Sequence, residues 1–281
     1  MVAEGGSVVP YRNAPYYILV VIAVIVAGFW ASYFAPFLEV PWQFHAHGVA
    51  ASIWVLMVLA QSITVHKGQL PIHRAVGKSS LILFPFLIGG LAAIIDVTGK
   101  GFIAGDMIRT TFGGEFLIGL ALAVAAYVVL YYRALKYRRK VWQHSGYMLA
   151  TPLILFESPF SRVIGTWIPA LQYRGPQDNA VFMDSIIWAM AAELAVIAVL
   201  WWRLRDKASP FLVAAAFIVA QMLTMGLMHD NAVLESLLVV IGNVPSATVV
   251  LTGFAIGAAT SWAGWQAGKR PTVPAGVAQA A

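Results

Sequence analysis

Residues 18–29 read ILVVIAVIVAGF and contain no polar side chain. A helix needs about 20 mainly apolar residues to cross the roughly 30 Å hydrocarbon core of a bilayer, and this stretch is the centre of one such segment. Sixty per cent of the 281 residues are hydrophobic and 11% are charged, whereas soluble domains carry roughly 25% charged residues. The chain has too few charges to cover a water-facing surface, so the sequence predicts an integral membrane protein.

The predicted fold class is all-α, a polytopic membrane bundle of about eight transmembrane helices. The predicted spans are residues 16–36, 42–65, 74–96, 113–135, 142–165, 181–202, 210–228 and 246–267. A ninth apolar run near 232–241 is too short to cross and is expected to be interfacial or re-entrant. One domain thus covers residues 16–267, between a tail of residues 1–15 and a tail of residues 268–281 that we expect to be disordered.

Basic residues set the orientation of the bundle, because they accumulate in cytoplasmic loops. With both termini in the cytoplasm, all but four of the 18 basic residues fall on the cytoplasmic side; the exceptions are Lys100, Arg109, Arg162 and Arg174. Most acids, Asp96 and Glu115 among them, fall toward the outer side, and one interpretation is a solvated rim. The net charge of +6 is then a topology signal, which makes the lipid bilayer the expected partner and excludes nucleic acid.

Absent residues and motifs narrow the chemistry. The sequence has no cysteine, which excludes disulfides, iron–sulfur clusters and thioether-attached haem. It also lacks the phosphate-binding loop of nucleotide hydrolases, the paired histidines of zinc proteases and the serine motif of α/β-hydrolases. Nucleotide hydrolysis and zinc-protease chemistry are therefore not expected.

Three histidines are predicted near the outer face. His45 and His47 begin the second span, and His229 ends the seventh, on the same helical face as Met225. Imidazole with thioether suits copper(I), while imidazole with carboxylate suits zinc or iron. The sequence therefore predicts a copper or zinc site here if these spans converge, and packing is the alternative interpretation.

Two further histidines are predicted near the cytoplasmic face. His73 opens the third span and His144 opens the fifth. Two histidines at one depth on different helices are what a b-type haem requires, and Arg74 and Lys78 are placed to pair with its propionates. The alternative is that these imidazoles bond to helix ends or to lipid headgroups.

Deep polar residues suggest a path through the bundle. Glu193 falls halfway along the sixth span, where an unpaired carboxylate is costly. Tyr147, Glu157 and Arg162 lie on or beside one face of the fifth span, and Gln61 follows His47 and Trp54 at intervals of seven on the second. These side chains either form a polar path for protons or substrate, or hold helices together.

Several of these residues together resemble a bacterial family of multi-span membrane proteins, a domain of unknown function. The resemblance rests on His45-Ala46-His47-Gly48, on His73-Arg74-Ala75-Val76-Gly77 and on His144 with Met148. It covers residues 42–165 and departs from the family pattern at Val76 and Ser145. It implies a helical fold and a bacterial inner membrane, and a fainter similarity to cytochromes b561 implies haem at His73 and His144.

Three classes of function remain open. The first is a redox-linked membrane protein with a histidine-bound metal or haem and a membrane redox partner. The second is a cofactor-free transporter or channel with Glu193 and Glu157 in its path. The third is a scaffold or assembly subunit of a membrane complex. The sequence leaves open whether the protein is an enzyme.

Overall fold

The computed structural model describes residues 9–269, and within that range the chain forms helices and connecting turns without a β-strand. Its nine α-helices are α1 (Ala14–Phe29), α2 (Trp42–His66), α3 (Leu70–Ile103), α4 (Met107–Lys136), α5 (Val141–Trp167), α6 (Asn179–Leu204), α7 (Ser209–Leu227), α8 (Ala232–Asn243) and α9 (Ser246–Ala267). A π-helical turn, Trp30–Phe34, extends α1, and a 3₁₀ turn, Arg205–Ala208, joins α6 to α7.

The described helices bear out a multi-pass membrane protein. Six segments are long and apolar enough to cross a membrane: Ala14–Phe34, Trp42–His66, Leu70–Ile103, Met107–Lys136, Pro176–Leu227 and Ser246–Ala267. The fifth of them, 52 residues long, contains both α6 and α7 because the turn between them is itself helical. The more polar α5 is not among the six. The count of eight spans and the cytoplasmic termini stay predictions, and residues 1–8 and 270–281 of the predicted tails lie outside the described residues.

α3 and α4 extend furthest beyond the predicted spans. α3 runs to Ile103 and α4 begins at Met107, where the predicted boundaries are residues 96 and 113. The side chain of Asp106 caps α4 by accepting the backbone N–H of Arg109 at 3.0 Å, so the helix begins before its apolar stretch. The short predicted run near 232–241 is α8, which packs along these two extended ends.

The interior is built around α3, α4 and α5. α3 packs against α2, α4, α8 and α9, while α1 and α6 both pack against α5. Trp54, Phe84 and Tyr131 are fully buried where α2, α3 and α4 meet, with the rings of Phe84 and Tyr131 stacked 4.1 Å apart. The predicted stripe of α2 that contains Trp54 therefore faces the core.

Candidate functional site

Thr151 of α5 joins three helices. Its hydroxyl accepts the indole N–H of Trp54 at 2.9 Å, and its carbonyl accepts the phenol of Tyr127 at 2.8 Å. The same hydroxyl donates to the carbonyl of Met148 at 2.8 Å, which Pro152 leaves without its usual helical partner. This part of the polar face of α5 therefore holds helices together.

Two of the predicted path residues also have packing roles. The hydroxyl of Tyr147 accepts a hydrogen bond from Arg133 at 3.1 Å. Gln61 faces Gly77 across the contact of α2 with α3, and its amide nitrogen is buried without a hydrogen-bond partner in the described part of the chain. Both side chains lie toward the end of the bundle that the charge pattern places in the cytoplasm.

A second polar group on α5 surrounds Glu157. Arg162 donates to the carbonyl and the hydroxyl of Ser158 at 2.7 and 2.8 Å, and its guanidinium lies 5.0 Å from the ring centre of Phe29. Arg162 is close enough to attract the half-buried carboxylate of Glu157. Gly28 lets α1 approach α5 very closely here, since a Cβ at this position would collide with the carbonyl oxygen of Pro159.

Glu193 lies opposite this group on α6. Its side chain is 2% exposed, and its Oε1 has no hydrogen-bond partner within residues 9–269. Glu157 is close enough for the two carboxylates to repel each other. The predicted path is thus divided: Glu193, Glu157 and Arg162 form one cluster, while Tyr147 and Gln61 pack elsewhere.

A groove connects Glu193 with one end of the bundle. It has a volume of about 650 Å³ and runs between α1 and α6 over the surface of α5. Arg12 and Arg203 line one end of it, here called its mouth, Glu193 lines it ten residues along α6 from Arg203, and the residues between them are mainly apolar. The groove thus extends from a buried carboxylate toward the end of the bundle that the charge pattern predicts to be cytoplasmic.

The structure brings His73 and His144 near each other. Nδ1 of His144 must carry the proton, because its partner at 2.9 Å is the carbonyl oxygen of Ala134. Nε2 of that ring is then the lone-pair nitrogen, as in many histidine ligands of metals. His73 lies close enough to repel a charged His144, and its Nδ1 is buried without a partner in the described residues.

His73 and His144 are therefore the residues that could hold a metal or a haem at this end of the bundle. The predicted propionate partners are less well placed, since Arg74 and Lys78 are both exposed on α3. Haem ligation at this pair stays a prediction.

The two histidines at the start of α2 lie in different environments. His45 is hydrogen-bonded through Nδ1 to the hydroxyl of Tyr33 at 3.1 Å and lies edge-on to Phe37. The backbone of His47 packs against Gly90 of α3, and its Nδ1 is buried with no partner among the described residues.

His229 and Met225, whose spacing predicts a shared helical face, both contact α4. His229 Nδ1 lies 2.6 Å from Oε1 of Glu115, and the Met225 sulfur packs against Gly119. No three histidine, aspartate or glutamate side chains within residues 9–269 are grouped so that they could hold a metal ion. The copper or zinc site of His45, His47, His229 and Met225 therefore gains no support from the geometry and stays a prediction.

Glu115 and His229 form an ion pair that charge counting along the sequence missed. The side chain of Glu115 is 3% exposed. Its hydrogen bond to His229 is the main reason why the pKa of that histidine is raised above 6.5, with a smaller opposing effect from burial. Asp230 adds attraction from 3.5 Å. The pair fastens the end of α7 to α4.

Asp96 is also buried, and not part of a solvated rim. It is 0% exposed, forms an ion pair with Lys100 one helical turn later, and accepts a hydrogen bond from Gln43 at 3.2 Å. Lys100 also donates to the carbonyl of Val244 at 3.0 Å. The signal in the sequence was the i, i+4 spacing of Asp96 and Lys100 at the end of an apolar span.

Comparison with protein-family models, with curated proteins and with solved structures finds no match to this chain.

Proposed function

We propose that this protein is a proton-coupled membrane carrier in which Glu193 and Glu157 bind the transported proton. The observation that carries the proposal is Glu193 itself. Its carboxyl is 2% exposed, its Oε1 lacks a partner in the described chain, and it lines a groove that opens at the bundle surface. A side chain needed only for packing would not have to be ionisable at this place.

The physical argument is the cost of charge inside a membrane. An ionised carboxylate in an apolar environment is strongly unfavourable unless a proton or a cation accompanies it. A second carboxylate nearby, Glu157, raises that cost because like charges repel. Arg162 offsets part of it through its attraction to Glu157. The cluster therefore favours one bound proton or one bound cation, which is what a coupled carrier requires.

Two prolines inside α5 make this helix easier to bend. Pro152 and Pro159 each remove one backbone hydrogen bond from its interior. Thr151 replaces the lost bond at Met148. Proline interruptions of this kind are tolerated in membrane helices where hydroxyl side chains satisfy the freed carbonyls. We infer that α5 bends near Glu157 when the carboxylates exchange access between the two sides.

The first test does not require the substrate to be known. Dicyclohexylcarbodiimide enters membranes and modifies carboxyl groups that are protonated and reachable from the apolar phase. We expect modification at Glu193, detected by peptide mass spectrometry, with labelling that falls as the pH is raised. Glu193→Gln should abolish that label, and the exposed control Glu39→Gln should leave it unchanged.

A second measurement links the label to transport. Proton flux into proteoliposomes, followed with an entrapped pH-sensitive dye while candidate solutes are screened, should respond to at least one solute in the wild type but not in Glu193→Gln. An unlabelled Glu193 in folded protein at every pH contradicts the carrier.

The second candidate function is a haem-binding redox protein, favoured by the orientation of His144. The hydrogen bond from Nδ1 to Ala134 leaves Nε2 free to bind iron, next to His73. Haem would supply one-electron chemistry there. Protein purified from haem-supplemented cells should show a Soret band that is lost in His73→Ala and His144→Ala but kept in His66→Ala. A spectrum without that band removes this candidate.

A further inference from the structure

At the mouth of the groove, Tyr11 in the turn before α1 contacts two other helices. The hydroxyl of Tyr11 donates to the carbonyls of Trp142 and Lys207 at 3.2 and 3.1 Å. Its ring lies edge-on to Trp142 and to Phe211, with centroids 5.1 and 5.6 Å away. Lys207 lies 4.1 Å from the Trp142 ring centre. The start of α1 is thus held against α5 and α7.

Backbone strain is concentrated at the same mouth. Three non-glycine residues within 9–269 have positive φ, and two of them, Tyr11 at 53° and Arg205 at 50°, flank the groove. The third, Asp230, adjoins His229. A positive φ is unfavourable for residues with a Cβ, and such strain persists mainly at functional sites. The mouth is therefore held in a conformation that local preferences oppose.

The charge at the mouth is positive. Arg12 and Arg203 line it, and neither forms an ion pair with another residue in the described range. Asp206 lies nearby in the α6–α7 turn but does not line the groove. Two arginines converging at one end of an apolar groove are complementary to one anionic group with an apolar tail.

The walls fit an extended hydrocarbon chain. From Arg203 to Glu193 is ten residues of α6, which corresponds to about 15 Å along a helix. Side chains along this length are apolar on three helices, among them Ile18, Val21, Leu153, Phe156, Val196 and Leu200. A chain lying in the groove would contact apolar groups along its length and end beside Glu193.

We propose that this groove binds one anionic phospholipid of the cytoplasmic leaflet. Its headgroup phosphate binds Arg12 and Arg203, and one acyl chain lies between α1 and α6. Basic pockets between membrane helices at the cytoplasmic surface recognise anionic headgroups in this way. The assignment to that leaflet rests on the orientation given by the positive-inside rule. The lipid would occupy the same groove that leads to Glu193, but the proposal concerns lipid binding alone and its test does not measure proton transport.

Native mass spectrometry of protein released from nanodiscs tests the proposal. The probes are nanodiscs of phosphatidylglycerol and of phosphatidylcholine with the same acyl chains. We expect one phosphatidylglycerol to be retained per chain. Retention should fall about fivefold in Arg12→Ala and in Arg203→Ala, the factor expected for one basic residue at a membrane surface. The exposed Arg139→Ala, on the same predicted side but outside the groove, is the matched control.

Two further variants keep the result clear if an arginine variant folds poorly. Arg203→Lys keeps the charge and should retain most of the lipid, whereas Val196→Trp narrows the groove and should lose it. Equal retention of both lipids overturns the proposal, as does an equal loss in Arg139→Ala. The experiment measures the mass of the retained lipid and not a proton flux. The carrier proposal can therefore fail while the lipid proposal holds.

Discussion

The contact of α3 with α9 and the gap between α1 and α6 are both apolar, yet one is closed and the other open. On α9, Gly253 and Gly257 let the backbone approach Ala92 and Pro85 of α3. Between α1 and α6, branched residues such as Val21 and Val196 leave a groove. Lipid tails are as apolar as these side chains, so helices in a membrane associate where small residues allow close packing. Residue size, more than hydrophobicity, separates the closed region from the open one.

The largest effect is expected where the closed contact is overpacked. A Cβ on Gly257 would already lie 2.6 Å from the Pro85 backbone. Gly257→Leu should therefore destabilise the protein by about 3 kcal/mol, the upper end of the range for overpacked cores. Thermal unfolding in detergent, followed by intrinsic fluorescence, measures the change.

Ala195→Leu adds side-chain bulk in the open groove and is the matched control for Gly257→Leu. It should leave the unfolding temperature nearly unchanged. If the two variants lose equal stability, the distinction between closed and open regions is wrong.

An intermediate effect is expected at Thr151, which lies between the two regions. Thr151→Val keeps the shape but leaves the buried indole N–H of Trp54 without an acceptor. The expected loss is about 1–2 kcal/mol, and Thr151→Ser, which restores the hydroxyl, should recover most of it. Unfolding in a denaturing detergent provides the measurement, and a Val variant as stable as wild type would show that this bond adds nothing.

The smallest effect is expected at His229, which joins α7 to α4. The pKa of His229 is raised above 6.5 by Glu115. Because the pKa is higher in the folded state, the ion pair stabilises the protein fully at pH values below the pKa of the unfolded state. This stabilisation is lost as the pH rises through the pKa of the folded state. Because the imidazole is 56% exposed, solvent screening should keep the effect below about 1 kcal/mol.

In His229→Gln, the unfolding temperature should no longer fall as the pH rises through the pKa of His229. His45→Gln, which removes an outer histidine bonded to the hydroxyl of Tyr33, should leave that fall unchanged. If the unfolding temperature of the wild type rises as the pH is raised through the pKa of His229, the prediction is wrong.

The all-helical fold followed from the sequence, because the length and hydropathy of an apolar segment are properties of a single helix. The burial of Trp54 followed from its place in a period-seven stripe, and α8 followed from a run too short to cross. The end of α3 and the start of α4 could not be predicted in this way. The cap at Asp106 and the packing of α8 determine them, and neither depends on the hydropathy of the segment.

The candidate site was less predictable, because sites depend on which helices meet. Glu193 could be singled out alone, since the cost of a buried carboxylate is a local property. The pairing of Glu115 with His229 depends on the contact of α4 with α7, which residues 114 positions apart do not reveal. For the same reason the sequence predicts His45 and His229 on one side of the membrane but could not give their different partners.

The bonds at Thr151 have a consequence for biosynthesis. Trp54 on α2 and Tyr127 on α4 leave the ribosome before Thr151 does, so their N–H and O–H groups enter the membrane before their acceptors exist. Until α5 arrives, these groups need water, lipid headgroups or the insertion machinery as partners. A nascent chain ending before residue 151 is therefore a membrane intermediate with two unsatisfied donors, and the insertion of α5 completes the first five helices.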